Sequence, residues 1–414
     1  MTTHPIDHRR EPASGPDIAR RWLPLIVGLA IGIRLTLGWQ HPFLFPDSAD
    51  YDALAKAIVG HMPYQVNGNI ATRMPGYPVF LALLYGTGAG MRGALVMQAM
   101  MGGAIVLITY VIASRLGRGI ALLAAALIAF DPLSIGLSAA LLTETPFTLF
   151  FIAGIWVCIQ FGEETSPRRL WRLWLGLGLL WAIAVYMRAS ALWCIVPLAA
   201  CGVLQMRRLG PEVRALMACS AVAVVFLALT PWLARNYRHF HSGPLRLTTL
   251  EGASLYEAVY PEADGGPRQD KISLPADMAG LDEAQRNDEW ARRGWGYVRS
   301  DPARIAKLAL VKIARTWLPW FSAAELSARP IQWAMTAWYI PVLLLGFIGM
   351  WLVPGKVAPV LWIPILYFTA LHALFLGSVR YRAPLMPIVC IFAAAAIIRV
   401  GRWAANLRRS SRSG

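Results

Sequence analysis

From residue 22 to residue 400 this chain returns repeatedly to apolar runs near the length of a membrane helix, and few folds tolerate that pattern. In hydrocarbon every backbone N–H and C=O must bond within the protein, so a spanning segment is an α-helix or a strand of a closed barrel. Barrel strands alternate with period two, whereas these runs are continuous. A soluble fold fails on composition, because 57% of the 414 residues are hydrophobic and only 15% are charged. The fold class is therefore an all-α polytopic membrane protein of about 10–11 transmembrane helices with a large extracytoplasmic loop.

The apolar segments fall at 22–39, 76–90, 93–113, 119–131, 144–161, 171–187, 189–205, 214–233, 331–352, 357–376 and 383–400. Several are shorter than the ~20 residues that cross a hydrocarbon core, which suits helices around a water-filled cavity. A net charge of +16 would suit a nucleic-acid binder. The basic residues instead cluster between apolar segments and at both ends, as the positive-inside bias requires, and a nucleic-acid partner is rejected. Arg9, Arg10, Arg20 and Arg21 place the N-terminus in the cytoplasm. The same side holds Arg115 and Arg118, then Arg168, Arg169 and Arg172, then Arg207, Arg208 and Arg214, then Lys356 and the tail from Arg399 to Arg412. Residues 40–75, 132–143, 187–189, 234–330 and 377–382 then lie on the far side of the membrane. Parity requires that the weak segment 76–90, which opens Gly-Tyr-Pro, be re-entrant, giving ten crossings; eleven follow if it spans.

The chain divides into a cytoplasmic tail, 1–21, and an N-terminal transmembrane module, 22–233, carrying the first loop 40–75. An extracytoplasmic loop, 234–330, the C-terminal helices, 331–400, and a basic cytoplasmic tail, 401–414, complete it. Trp22–Trp39 lacks a small-residue cleavage site and is read as a retained helix. In the large loop, 243–283 reads as ordered loop or short strands and 284–320 as helix. Ile305, Leu308, Ala309, Ile313 and Trp317 recur at helical spacing, so this helix either roofs the site from the membrane surface or packs on the bundle. No internal repeat is evident. Cys158, Cys194, Cys201, Cys219 and Cys390 lie in apolar segments without a CxxC pair and read as buried free thiols.

Polar residues on the far side of the membrane carry the functional argument. The first loop supplies Asp47, Asp50, Asp52 and Arg73; Thr143-Glu144 heads one helix; Arg188 sits between two apolar segments; Arg235, Asn236 and Tyr237 close another; Arg380 and Arg382 precede the last. Arginine near membrane depth is costly unless paired, hydrated or ligand-bound, and several together suit a phosphate. Each has a plainer account: the arginines snorkel or pair, Thr143 and Asp47 cap helices, and Asp50 pairs locally. His239 and His241 lack a third ligand nearby in sequence, so no metal site is assigned. The sequence shows no P-loop, no GxGxxG with an acidic partner and no GxSxG elbow, which leaves nucleotide-driven transport and nucleotide-sugar chemistry unsupported.

The ordered motifs PDSADYDALA, RMPGYPVFLAL, LLTETPF, YMRAS, PWLARNY and RYRAP resemble the bacterial GT-C glycosyltransferases, the group of protein O-mannosyltransferase and aminoarabinose transferase relatives, over roughly residues 20–400. The resemblance implies a helical bundle with a periplasmic cavity and a sugar donor linked to polyprenyl phosphate. It implies Asp47 as general base, Arg73 and Arg235 near the donor phosphate, Glu144 at the cavity, and a less defined role for Arg380 and Arg382. Asp-Glu is frequent in the family where this chain has Asp47-Ser48, so Asp50 rivals Asp47 as the base. Tyr77, Arg188, Asn236 and Tyr256 join the substrate-binding candidates. The resulting expectation is an inverting transfer of a hexosyl or pentosyl group to an acceptor hydroxyl on a lipid, glycan or protein. The partners are the donor, the acceptor and membrane lipids, in the bacterial inner membrane. No cofactor is required, and a divalent metal is left open. A transporter or flippase of lipid-linked sugars would use the same arginines without a catalytic carboxylate, and a non-catalytic scaffold would need neither.

Overall fold

The computed structural model describes residues 16–240, 246–268, 272–320, 329–353, 355 and 357–411. Arg9, Arg10, His241, Lys356 and Arg412 lie outside that set. Sixteen α-helices are found among the described residues, and the only β pairing there is in two isolated bridges.

The first half runs α1 (Pro16–Gln40), α2 (Pro46–Val59), α3 (Gly76–Gly86), α4 (Gly90–Ser114), α5 (Arg118–Ala129), α6 (Pro132–Ser138), α7 (Glu144–Gln160) and α8 (Pro167–Met187). It continues with α9 (Ile195–Gln205), α10 (Pro211–Phe240), α11 (Glu251–Val259), α12 (Glu283–Ser300), α13 (Pro302–Trp317), α14 (Arg329–Leu352), α15 (Val357–Leu374) and α16 (Met386–Ser410). Among the described residues seven helices are long and apolar enough to cross a membrane: α1, α4, α8, α10, α14, α15 and α16 with the turn before it. The bent pair α5–α6 makes an eighth if counted as one span, and α3, α7 and residues 189–205 are shorter apolar helices. This is a multi-pass helical membrane fold.

Local chemistry explains the breaks. Asp131 accepts from the Ser134 amide and Pro132 occupies the first helical position, so the 119–131 run ends and α6 departs at 51°. At 1.5 Å per residue the 11 residues of α3 reach about 16 Å, half of a hydrocarbon core. Gly88 and Gly90, both at positive φ, then turn the chain into α4.

The centre of the bundle is α16, which packs on α14, α5 and α4 and is buried at every residue from Met386 to Ala396. Its small side chains allow close approach: a Cβ on Gly349 of α14 would collide with the Phe392 carbonyl. This rigid axis fixes the 3-10 turn Val379–Leu385 at its N-terminal end.

Two expectations need correction. The described part of 243–283 holds α11 and a short 3-10 turn rather than strands, because Leu255, Ala258 and Val259 bury one helical face. Cys219 is exposed on the outward face of α10, while the other four thiols are buried. The amphipathic α13 packs on α15 and on the 379–385 turn, burying Leu308, Lys312 and Thr316 one turn apart.

Candidate active site

One end of the bundle gathers three carboxylates and three guanidiniums. An isolated bridge sets the frame: Phe43, just after α1, pairs with Ala140, and its amide donates to Ala139. That contact brings the start of α2, with Asp47 and Asp50, beside the turn that leads into Glu144. Gln98 of α4 secures the turn by donating to the Ser138 and Ala140 carbonyls, and its own carbonyl accepts from the Tyr77 hydroxyl at 2.6 Å.

Asp47 accepts from Arg73 at 2.7 Å on one oxygen and from Arg380 at 2.8 Å on the other. Arg73 also donates to Asp50 through Nε at 3.1 Å and Nη2 at 2.8 Å. Glu144, only 1% exposed, is held by Arg188 at 3.0 Å and by the Nε of Arg380. Arg380 thus bridges Asp47 and Glu144. Burial raises the Asp47 carboxyl, but Arg380 and Arg73 outweigh it and hold the group below the usual carboxylate range. Aromatic rings flank the cations: Tyr51 under Arg73, Phe45 under Arg380, and Phe147 and Tyr381 under Arg188.

Neither plain capping account describes these residues. The α2 cap is Phe45, whose amide donates to Ser48, so Asp47 in the first turn is left to the arginines. Thr143 makes no capping bond to its helix; its hydroxyl reaches Glu144 at 3.5 Å. Asp52 takes no part in the cluster and binds Lys56 and the Tyr85 hydroxyl.

Other candidates lie elsewhere. Arg235 donates to the backbone carbonyls of Ile70 and Tyr64 and stacks on Trp232, so its guanidinium supports the first loop. Asn236 donates to the Arg246 carbonyl. Arg382 is fully buried, turned to the Thr316 and Leu318 carbonyls and over the Tyr339 ring. Tyr256 packs with Tyr260, Trp290 and Tyr297 in the large loop. Tyr77 is buried on Tyr51 and Gln98 and contributes through packing. Among the described residues no three His, Cys, Asp or Glu side chains are arranged to hold a metal ion, and Asp47, Asp50 and Glu144 are bonded to arginines.

Sequence reasoning missed Gln98, Tyr51, Tyr64 and Arg34. Arg34, buried in α1, donates to the Ala129 and Ile128 carbonyls at the end of α5. A lone arginine or glutamine inside an apolar run was the available signal.

Comparison with known proteins agrees with this fold. The dolichyl-phosphate-mannose-protein mannosyltransferase family model matches residues 73–234, a stretch that includes Arg73, Tyr77, Glu144 and Arg188. No curated protein sequence matches the chain. Two solved structures from Archaeoglobus fulgidus share the fold. One is the oligosaccharyltransferase AglB in complex with an inhibitory peptide and a dolichol-phosphate, at TM-score 0.52 and 12% identity, covering 96% of this chain and 52% of that one. The other is an oligosaccharyltransferase complex with Zn and sulfate, at TM-score 0.56 and 13% identity, covering 91% and 49%. A third match is ArnT from Cupriavidus metallidurans bound to undecaprenyl phosphate, at TM-score 0.41 and 15% identity, covering 93% and 79%. The chain spans about half the length of the two oligosaccharyltransferase chains. The chain shares the helical membrane fold of these two oligosaccharyltransferase structures.

Proposed function

We propose that this protein transfers a sugar from a polyprenyl-phosphate donor to an acceptor hydroxyl, at a site facing the periplasm from the inner membrane. The observation that carries the reading is Arg380 bridging Asp47 and Glu144, with Arg73 on the opposite oxygen of Asp47. A carboxylate flanked by guanidiniums, at the end of an apolar bundle, suits a base beside a phosphate.

In this mechanism the acceptor O–H gives its proton to Asp47 while its oxygen attacks the anomeric carbon. The bond from that carbon to the phosphate oxygen breaks, and the lipid phosphate leaves with the electron pair. Arg73 and Arg380 then stabilise the charge that develops on the leaving phosphate. Single displacement inverts the anomeric centre. Asp50, bonded only to Arg73 within the cluster, orients that guanidinium. Glu144, itself held by Arg188, holds Arg380 from behind.

The fold and the mannosyltransferase family match support a lipid-linked donor. The test uses purified protein in lipid nanodiscs with polyprenyl-phosphate mannose and a mixed pool of envelope acceptors. Released polyprenyl phosphate together with a mannosylated product supports the reading. Donor that crosses a vesicle bilayer with its glycosidic bond intact would instead make the protein a carrier.

A further inference from the structure

Arg73 is held from two directions. Its side chain meets Asp47 and Asp50, while its backbone belongs to a small hairpin whose outer edge is gripped by the large loop. Val66 and Asn69 pair across a turn in which Asn67 and Gly68 have positive φ, and the Tyr64 hydroxyl donates to the Arg73 carbonyl at 3.2 Å. On the outer edge, the carboxylate of Glu283 in the first turn of α12 accepts from two consecutive amides, Ile70 at 2.6 Å and Ala71 at 3.0 Å. The same carboxylate accepts from the Thr249 hydroxyl, and the Thr249 amide donates to the Ala71 carbonyl at 3.0 Å. Arg286, one turn further along α12, donates to Asn69 at 2.9 Å. Arg235 grips the opposite side through the Ile70 and Tyr64 carbonyls.

We propose that Glu283 is a positioning residue, which fixes Arg73 on Asp47 by holding the backbone two and three residues before it. The carboxylate suits this task because it is acceptor-only and can serve two adjacent N–H groups and a hydroxyl at once. No neutral side chain of that length offers three acceptor directions. Helix α12 has its own cap: Asp282 and Gln285 form a reciprocal pair, so Glu283 is not needed to start it. Its three bonds all leave the helix for the site-bearing hairpin and its neighbour. The consequence is that the placement of α12 and the geometry of Asp47–Arg73–Asp50 are one mechanical unit. Anything that lifts α12 also loosens the cation beside the carboxylate.

The catalytic arm of the test rests on the proposed transfer reaction; the exchange arm does not. Full-length protein in nanodiscs carries Glu283→Gln or Glu283→Asp. Amide hydrogen exchange is read on peptides covering 64–75, with the buried stretch of α16 as internal control. Loss of a charge-assisted acceptor is expected to speed exchange at Ile70 and Ala71 by about tenfold or more in Glu283→Gln, with the control unchanged. In the transfer assay kcat is expected to fall about tenfold at unchanged donor KM, and Glu283→Asp to recover part of it. Unchanged exchange over 64–75 overturns the proposal, and so does an equal loss in all peptides, which marks a merely structural role. A protein without transfer activity that still shows the local exchange change sinks the reaction and keeps the clamp. Should Glu283→Gln not be recovered from membranes, Thr249→Val removes one donor from the same carboxylate and is read in the same peptides with the same two outcomes.

Discussion

Replacing Glu144 by Gln tests the electrostatics of the site most sharply. The cluster is balanced, with Asp47, Asp50 and Glu144 facing Arg73, Arg188 and Arg380. The substitution keeps the shape and leaves one guanidinium in surplus. Removing one partner of a buried pair costs about 3–5 kcal/mol. Arg188 and Arg380 are 18% and 21% exposed, and water reaching them lowers the expected cost to about 2–3 kcal/mol. The surplus charge should also favour an added anion. A ligand at one hundred times its Kd stabilises by ~2.7 kcal/mol, so inorganic phosphate should restore most of the loss in the variant. The assay is equilibrium unfolding in mixed micelles followed by tryptophan fluorescence, with and without phosphate. The expected pattern is a lowered midpoint that phosphate raises far more in Glu144→Gln than in the parent. A loss under about 0.5 kcal/mol, or equal rescue of both proteins, refutes the coupling argued here.

Further outcomes follow from single contacts. Tyr77→Phe strips the Gln98 carbonyl of its buried donor and should cost about 1–3 kcal/mol in the same unfolding assay; a neutral result would show that the α3–α4 contact is slack. Gly76→Ala places a Cβ 2.6 Å from the Tyr186 carbonyl carbon and oxygen, so α3 must shift off α8, and a drop in thermal stability is expected. Because Arg380 and Arg73 hold Asp47 below the ordinary carboxylate range, the base stays ionised as pH falls, and the acid limb of transfer should lie below the usual ~3.9 of an aspartate. A limb near neutrality would contradict this. Burial lowers Lys312 to about 8, below its unfolded value of 10.5, so the unfolded chain binds the extra proton between those values and folding is favoured as pH rises through that window. Relative to Lys312→Met, the parent should therefore gain thermal stability from pH 8 to pH 10; the opposite slope would refute it.

Much of the helical plan was written in the apolar runs, because a lipid-exposed backbone has few alternatives to helix. The amphipathic spacing of α13 was equally plain. What the runs did not show was where they break. The departure of α6 depends on Asp131 choosing the Ser134 amide, and the placement of α3 depends on two glycines at positive φ. The cluster was visible as acids and arginines out of place, yet direction was not. Arg380 and Arg382 share one motif, but in a 3-10 turn residues two apart point to different faces, so one reaches Asp47 and the other the Leu318 carbonyl. Arg235 likewise sits at the right end of its helix and spends its donors on loop carbonyls. Glu283 carried no signal at all, since one acid in a polar loop has many equivalent neighbours and only tertiary contact selects its partners.

The base assignment is the claim on which the mechanism stands. Single-turnover transfer from polyprenyl-phosphate mannose should be measured for the parent, Asp47→Asn and Asp50→Asn at equal donor occupancy. The expected result is that Asp47→Asn binds donor and forms no product, while Asp50→Asn is slowed about tenfold or more through a misplaced Arg73. Product formation by Asp47→Asn at the parent rate would contradict the account.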